Sequence, residues 1–75
     1  MTAWVRFINL TEHKAIYIQA DERRIPVLLP HNQISKYIYF PAGSTNLSVF
    51  NLRGHLIKLY RLSVQPAVLQ TIVLK

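Results

Sequence analysis

Short runs of β-branched and aromatic residues recur along the whole chain at intervals of about 8 to 12 residues, with turn-forming residues between them. This spacing is typical of antiparallel β-sandwiches and barrels, so we predict an all-β fold with about seven strands. Apolar residues do not persist at the helical positions i, i+3, i+4 and i+7, and we therefore expect almost no helix. The predicted strands cover residues 3–9, 14–19, 25–29, 34–40, 46–51, 55–64 and 68–74.

Strict alternation marks the positions expected to face the core, because every second side chain of a strand points to the same side. The predicted core residues are Ala3, Val5, Phe7, Ile16, Ile18, Leu47 and Val49. Segments 37–40 and 56–62 are instead apolar on both faces. Such strands indicate a second surface that is covered by a partner or by another copy of the chain. The alternative is an ordinary sheet surface on which the tyrosine hydroxyls face water.

Chain length and cysteine content limit the architecture. A chain of 75 residues buries only about 60% of its unfolded surface, which is too little for two cores, so we expect one domain over residues 1–75. The sequence contains no cysteine, which excludes disulfides, thiolate metal sites and a cysteine nucleophile.

The charge balance is strongly basic. Nine Lys and Arg residues against three Asp and Glu give a net charge of +6, which attracts nucleic acid, anionic lipid or acidic proteins. The alternative is that these cations only keep strand surfaces and edges soluble. The candidate residues for binding a polyanion are Arg23, Arg24, Lys36, Arg53, Lys58 and Arg61.

Aromatic residues on predicted strands provide two further hypotheses. Tyr17, Tyr39 and Phe50 are candidate platforms for stacked bases, although aromatic residues on strands more often pack within a sheet. Trp4 or the tyrosines would be the stacking plates of a sugar-binding surface. For Trp4 itself we expect a position in the core or covering an edge.

Residues capable of catalysis are few and scattered. His13, His31 and His55 fall in three different predicted turns without metal-ligand spacing, and no serine has a G-x-S-x-G context. The only carboxylates are Glu12, Asp21 and Glu22. We therefore expect neither an enzyme nor a metal site, cofactor or small-molecule substrate.

Targeting signals are also lacking in the sequence as written. No basic segment leads into an apolar signal core, and no apolar run approaches the roughly 18 residues needed to span a bilayer. These observations predict a cytoplasmic protein without a membrane span.

Several short motifs together resemble one known family. The chain opens with V-R-F-x-N, and an S-x-Y strand later runs into P-A-G. The matching residues are Val5, Arg6, Phe7, Asn9, Ile16, Tyr17, Ile18, Ser35, Tyr37, Pro41, Ala42, Gly43, Leu47, Ser48 and Val49. In these features the chain resembles a shortened single copy of the domain-of-unknown-function 4397 family.

This resemblance implies an immunoglobulin-like β-sandwich of the kind found in bacterial cell-surface or secreted proteins, with no assigned activity. Together with the residues, it predicts a non-catalytic interaction or structural module that binds a protein or self-associates. Predicted strands 55–64 and 68–74 are long and apolar enough to pair across a two-fold axis. The alternative function is binding of nucleic acid or another polyanion.

Overall fold

The computed structural model describes residues 2–21 and 23–75, so that Glu22 lies outside the described residues. This part of the chain contains no helix, which confirms the all-β fold class. Its strands are β1 (Thr2–Asn9), β2 (Ala15–Ala20), β3 (Arg23–Pro30), β4 (Ile38–Pro41), β5 (Gly43–Phe50), β6 (Leu56–Val64) and β7 (Leu69–Leu74). The largest departure from the predicted bounds is β4, because the strand expected over 34–40 begins only at Ile38.

The described strands form two sheets, with the orders β4-β1-β7 and β3-β2-β5-β6. Neighbouring strands are antiparallel in every pair except β1 and β7, which run parallel. The prediction of a purely antiparallel arrangement is therefore wrong for this pair. Alternation in the sequence specifies which face of a strand is buried, but it contains no information on the direction of the neighbouring strand.

The two sheets share one hydrophobic core. In β1, Ala3 and Val5 are buried and Trp4 between them is exposed. Phe7 of β1 contacts Phe40 of β4 with 6.0 Å between ring centroids, a separation typical of edge-to-face aromatic pairs. All seven predicted core residues are buried, and the other strands add Ile25, Leu29, Phe40, Leu62, Val64 and Leu74.

Asn9 is a completely buried polar residue at the end of β1. Its Oδ1 accepts hydrogen bonds from the N–H and the hydroxyl of Thr11, at 3.0 and 2.6 Å. Its Nδ2 donates to the carbonyl of Leu29 at 3.0 Å, and its own carbonyl accepts from the N–H of Asn32 at 2.7 Å. One residue therefore joins β1 to the β1–β2 connection, to β3 and to the β3–β4 connection.

Ser35 explains why β4 begins late. Its N–H donates to the carbonyl of Phe7 at 2.8 Å, and its Oγ accepts from the N–H of Phe7 at 2.9 Å. The hydroxyl thus takes the place of a backbone acceptor opposite β1. Beyond it, only an isolated bridge between Ile8 and Ile34 extends the pairing. Regular pairing of β4 with β1 is consequently confined to residues 38–41.

Replacing Asn9 by alanine should lower the free energy of unfolding by about 2 to 4 kcal/mol, because the Thr11 N–H and the Leu29 carbonyl would lose their buried partner. Chemical denaturation followed by circular dichroism measures this change. The matched control is Asn46→Ala, since Asn46 is exposed on β5; its effect should stay within about 0.5 kcal/mol. Equal stability of the two variants would contradict the role given to Asn9.

Candidate interaction surfaces

The outer side of the three-stranded sheet carries a continuous set of mainly apolar and aromatic side chains, which we call the front face. Strand register places the side chains in three rows, because residues directly opposite each other on paired strands share a face. The rows are Leu69–Trp4–Tyr39, Thr71–Arg6–Tyr37 and Val73–Ile8–Ile34.

The first row of the front face is strongly exposed, with 64% of Leu69 and 47% of Trp4 accessible to solvent. Trp4 contacts Tyr39 edge-on, with 5.8 Å between the ring centroids. Since β1 is the central strand of its sheet, the expectation that Trp4 belongs to the core or covers an edge is wrong. Its position between buried Ala3 and Val5 turns it to the solvent side of that strand.

Arg6 lies in the middle of the front face and is half-buried. Its Nε donates to Thr71 Oγ1 at 2.9 Å. Its guanidinium carbon is 4.9 Å from the centroid of the Tyr37 ring, within the range of a cation–π contact. Tyr37 follows Ser35 by two residues, so the hydrogen bonds between Ser35 and β1 also hold this ring beside the arginine.

The outer side of the four-stranded sheet forms a second surface, which we call the back face. One row crosses all four strands and consists of Leu28, Tyr17, Phe50 and Leu56. The next row consists of Arg24, Gln19, Ser48 and Leu59. Tyr17 and Phe50 are half-buried neighbours, whereas Leu59 is 65% exposed on the edge strand β6.

The structure therefore separates the three aromatic residues proposed as stacking platforms. Tyr17 and Phe50 lie side by side on the back face, and Tyr39 belongs to the other sheet. The guanidinium carbon of Arg24 is 5.4 Å from the centroid of the Tyr17 ring. Two adjacent rings with an arginine beside them form a surface on which a base can stack.

The six candidate polyanion-binding residues are spread over both sheets and two connections. Arg24 and Arg61 lie on the back face, Arg23 beside Phe40, Lys58 on β6, and Lys36 and Arg53 in the connections before β4 and β6. The two residues that share the back face, Arg24 and Arg61, lie on opposite edge strands of the four-stranded sheet. Arg24 lies over the Tyr17 ring, and Arg61 donates to Asn46 Oδ1 at 3.4 Å.

A cleft of about 270 Å³ lies between the β1–β2 connection and β6. Glu12 and His13 line it, together with Lys58, Tyr60 and Lys75. The Lys58 ammonium and the Tyr60 hydroxyl both donate to the Lys75 carbonyl oxygen, at 3.1 and 2.8 Å. The cleft thus combines one imidazole with one carboxylate on a largely apolar floor, and the other two histidines lie in connections away from it.

Two absences concern only residues 2–21 and 23–75. Within them, the His, Asp and Glu side chains do not form a group of three or more that could hold a metal ion. The same residues form no helix of the length and apolar character that crossing a membrane requires.

The sequence predicted parts of the front face separately, as Trp4, segment 37–40 and strand 68–74, and did not bring them together. Arg6, Ile8 and Ile34 were not among the candidate binding residues. The sequence did contain one indication of this face. Trp4, Arg6 and Ile8 alternate with the core positions of β1, so their side chains point to the opposite side of the strand. Which strands flank β1, and hence which side chains complete the face, depends on pairing over long sequence distances.

No family model matches the chain, and no curated protein or solved structure is significantly similar to it. Membership of the domain-of-unknown-function 4397 family therefore stays a prediction. The structure does give physical roles to residues that carry the resemblance. Asn9 and Ser35 hold the β3–β4 connection against β1, and Tyr37 lies against Arg6.

Proposed function

We propose that the chain is a non-catalytic interaction module whose front face binds another protein. The observation that carries this proposal is the exposed row of Leu69, Trp4 and Tyr39. It lies on the outer side of a sheet whose inner side already forms the core. These side chains are therefore not needed to bury the core, and burying them against a partner gains hydrophobic free energy.

The composition of the front face supports a protein partner. Tryptophan, tyrosine and arginine are the residues most enriched among those that dominate binding energy in protein interfaces. Trp4, Tyr39 and Arg6 are present together, and the edge-on contact between the two rings restricts their motion before binding. A surface that is already ordered loses less conformational entropy when a partner binds.

We propose the immunoglobulin-like description on the basis of strand order. A constant-type immunoglobulin domain pairs its second and fifth strands at the centre of one sheet, as β2 and β5 pair here. The flanking strands differ, because β3 and β6 border this pair where the immunoglobulin order has the first and fourth strands. The proposed relation to the domain-of-unknown-function 4397 family accordingly rests on the two sheets and the motif positions.

The proposal of a non-catalytic role is supported by the placement of the imidazoles. His13 lies in the β1–β2 connection, His31 directly after β3 and His55 directly before β6. General acid–base or nucleophilic catalysis needs such groups within hydrogen-bonding reach of one another or of one reacting atom. We therefore assign His31 and His55 to the surface of connections, and His13 to the wall of the cleft beside β6.

A second candidate function, binding of a polyanion such as single-stranded nucleic acid, is favoured by the back face. Tyr17 and Phe50 are adjacent on paired central strands, and Arg24 lies against Tyr17. Lys14 and Arg53 line one shallow depression at the end of the same sheet. Rings for stacking and cations for phosphates would then occur on one side of the molecule.

The front-face proposal predicts the outcome of selecting a random displayed peptide library on the immobilised chain. Selected peptides should bind Trp4→Ser at least about tenfold more weakly, because removal of a central aromatic anchor typically costs more than 1.4 kcal/mol. They should bind Leu59→Ser normally, since this control removes an exposed apolar side chain from the back face instead. Fluorescence anisotropy measures the affinities, and equal binding to both variants would contradict the assignment.

We propose β6 and β7 as the strands through which the self-association expected from the sequence would occur. Both are edge strands, and Leu56, Leu59 and Leu69 on them are exposed. We expect light scattering to give a mass that rises with concentration for the native chain and less so for Leu59→Ser. A mass equal to one chain from micromolar to millimolar concentration would leave a different protein as the only proposed protein partner.

The polyanion proposal predicts binding of a labelled single-stranded oligonucleotide at low ionic strength, with affinity falling steeply as salt increases. Phe50→Ala should weaken this binding by about tenfold, because stacking contributes roughly 1 to 3 kcal/mol per base. Tyr39→Ala, which removes an aromatic ring from the other sheet, is the matched control and should bind normally. Lack of retention of the oligonucleotide at low salt would refute this function.

A further inference from the structure

Arg6 is the one charged residue among the nine that form the front face. It has Ile8 and Trp4 as neighbours on its own strand face, and Thr71 and Tyr37 on either side. A partner that covers the exposed first row also covers this guanidinium. The chemistry of Arg6 therefore restricts what the partner can be.

The guanidinium has more hydrogen-bond donors than the front face uses. An arginine side chain carries five N–H groups. The hydrogen bonds among the described residues employ the one on Nε, which donates to Thr71 Oγ1 at 2.9 Å. Within residues 2–21 and 23–75 the four N–H groups on the two Nη atoms make no hydrogen bond, so that water can accept from them. When a partner displaces that water, it must supply acceptors, because a buried charge without a counter-charge is strongly unfavourable.

A carboxylate is the acceptor that matches this requirement. Its two oxygens accept two parallel hydrogen bonds from one guanidinium, and its charge neutralises that of the arginine. The contact of Arg6 with the Tyr37 ring and its bond to Thr71 restrict the orientation of the guanidinium before a partner arrives. This restriction favours an acceptor of defined geometry over a diffuse negative potential.

A second copy of the chain is a poor occupant of the same surface. A two-fold axis through the centre of the front face would bring Arg6 of one copy against Arg6 of the other, and each chain has a net charge of +6. The described carboxylates are not on this face either. Glu12 lies in the β1–β2 connection, and Asp21 accepts a hydrogen bond from the Asn46 N–H at 3.2 Å on the other sheet.

We infer that the front face recognises an acidic segment of a different protein, in which one Asp or Glu is flanked by apolar side chains. The carboxylate pairs with Arg6, and the apolar neighbours cover the Leu69–Trp4–Tyr39 row on one side and the Val73–Ile8–Ile34 row on the other. This inference rests on the proposed function, since it specifies the partner chemistry of the same surface.

The test uses the peptides selected on the immobilised full chain whose binding depends on Trp4. We expect them to contain an acidic residue between apolar ones. Changing that residue to its amide should weaken binding to the native chain at least about tenfold. The same change should have little effect on binding to Arg6→Gln, because this variant lacks the guanidinium that pairs with the carboxylate. Arg61→Gln on the back face is the matched control and should respond like the native chain.

Each outcome separates the two proposals. The carboxylate inference would be overturned if the Trp4-dependent peptides lacked an acidic residue. It would also be overturned if the amide substitution weakened binding to the native chain and to Arg6→Gln equally. Both results would leave the protein-binding function intact. A selection that yields no Trp4-dependent peptide would contradict both proposals.

Circular dichroism of Arg6→Gln shows whether the variant is folded. If it is not, Arg6→Lys replaces it. We expect Arg6→Lys to retain only part of the preference for the acidic peptide over its amide.

Discussion

The hydrogen bonds of the Asn9 side chain hold together the parts of the molecule that the sheets alone leave separate. β1 belongs to one sheet and β3 to the other, and no ladder connects them. Because the Asn9 amide bonds to Leu29 on β3 and to Thr11 in the connection, the end of β1 is tied across the core. A buried amide with its bonding capacity satisfied specifies one arrangement, whereas apolar contacts tolerate several. The β3–β4 connection, and with it Tyr37 beside Arg6, depends on that arrangement.

Local patterns predicted the inner faces of the strands well. Alternation in β1 and β5 follows directly from strand geometry, so Val5 and Leu47 were identifiable without any knowledge of their neighbours. Pairing was not identifiable in the same way, since the parallel contact of β1 with β7 joins residues more than sixty positions apart. The late beginning of β4 was also hidden, because Ser35 reads as a strand residue until its hydroxyl is seen to replace a backbone acceptor.

The candidate surfaces were predictable only in part. The six candidate cations are all exposed, but their grouping depends on sheet order, which places Arg24 and Arg61 at opposite edges. Trp4 was expected in the core or over an edge, as large aromatic residues tend to be buried. Its place between the core positions Ala3 and Val5 puts it on the opposite, exposed side of β1. A sequence shows that a strand has two apolar faces. It does not show which of them the rest of the chain will cover.

The parallel pairing of β1 with β7 has a consequence for the order of assembly. During synthesis, β1 leaves the ribosome first and β7 last among the described strands, so the smaller sheet stays open on one side until β7 has been synthesised. The hairpins β2–β3 and β5–β6 involve closer residues and can form earlier, because short loops close at lower entropic cost. The front face is thus complete only after β7 has paired with β1, because this strand supplies Leu69, Thr71 and Val73.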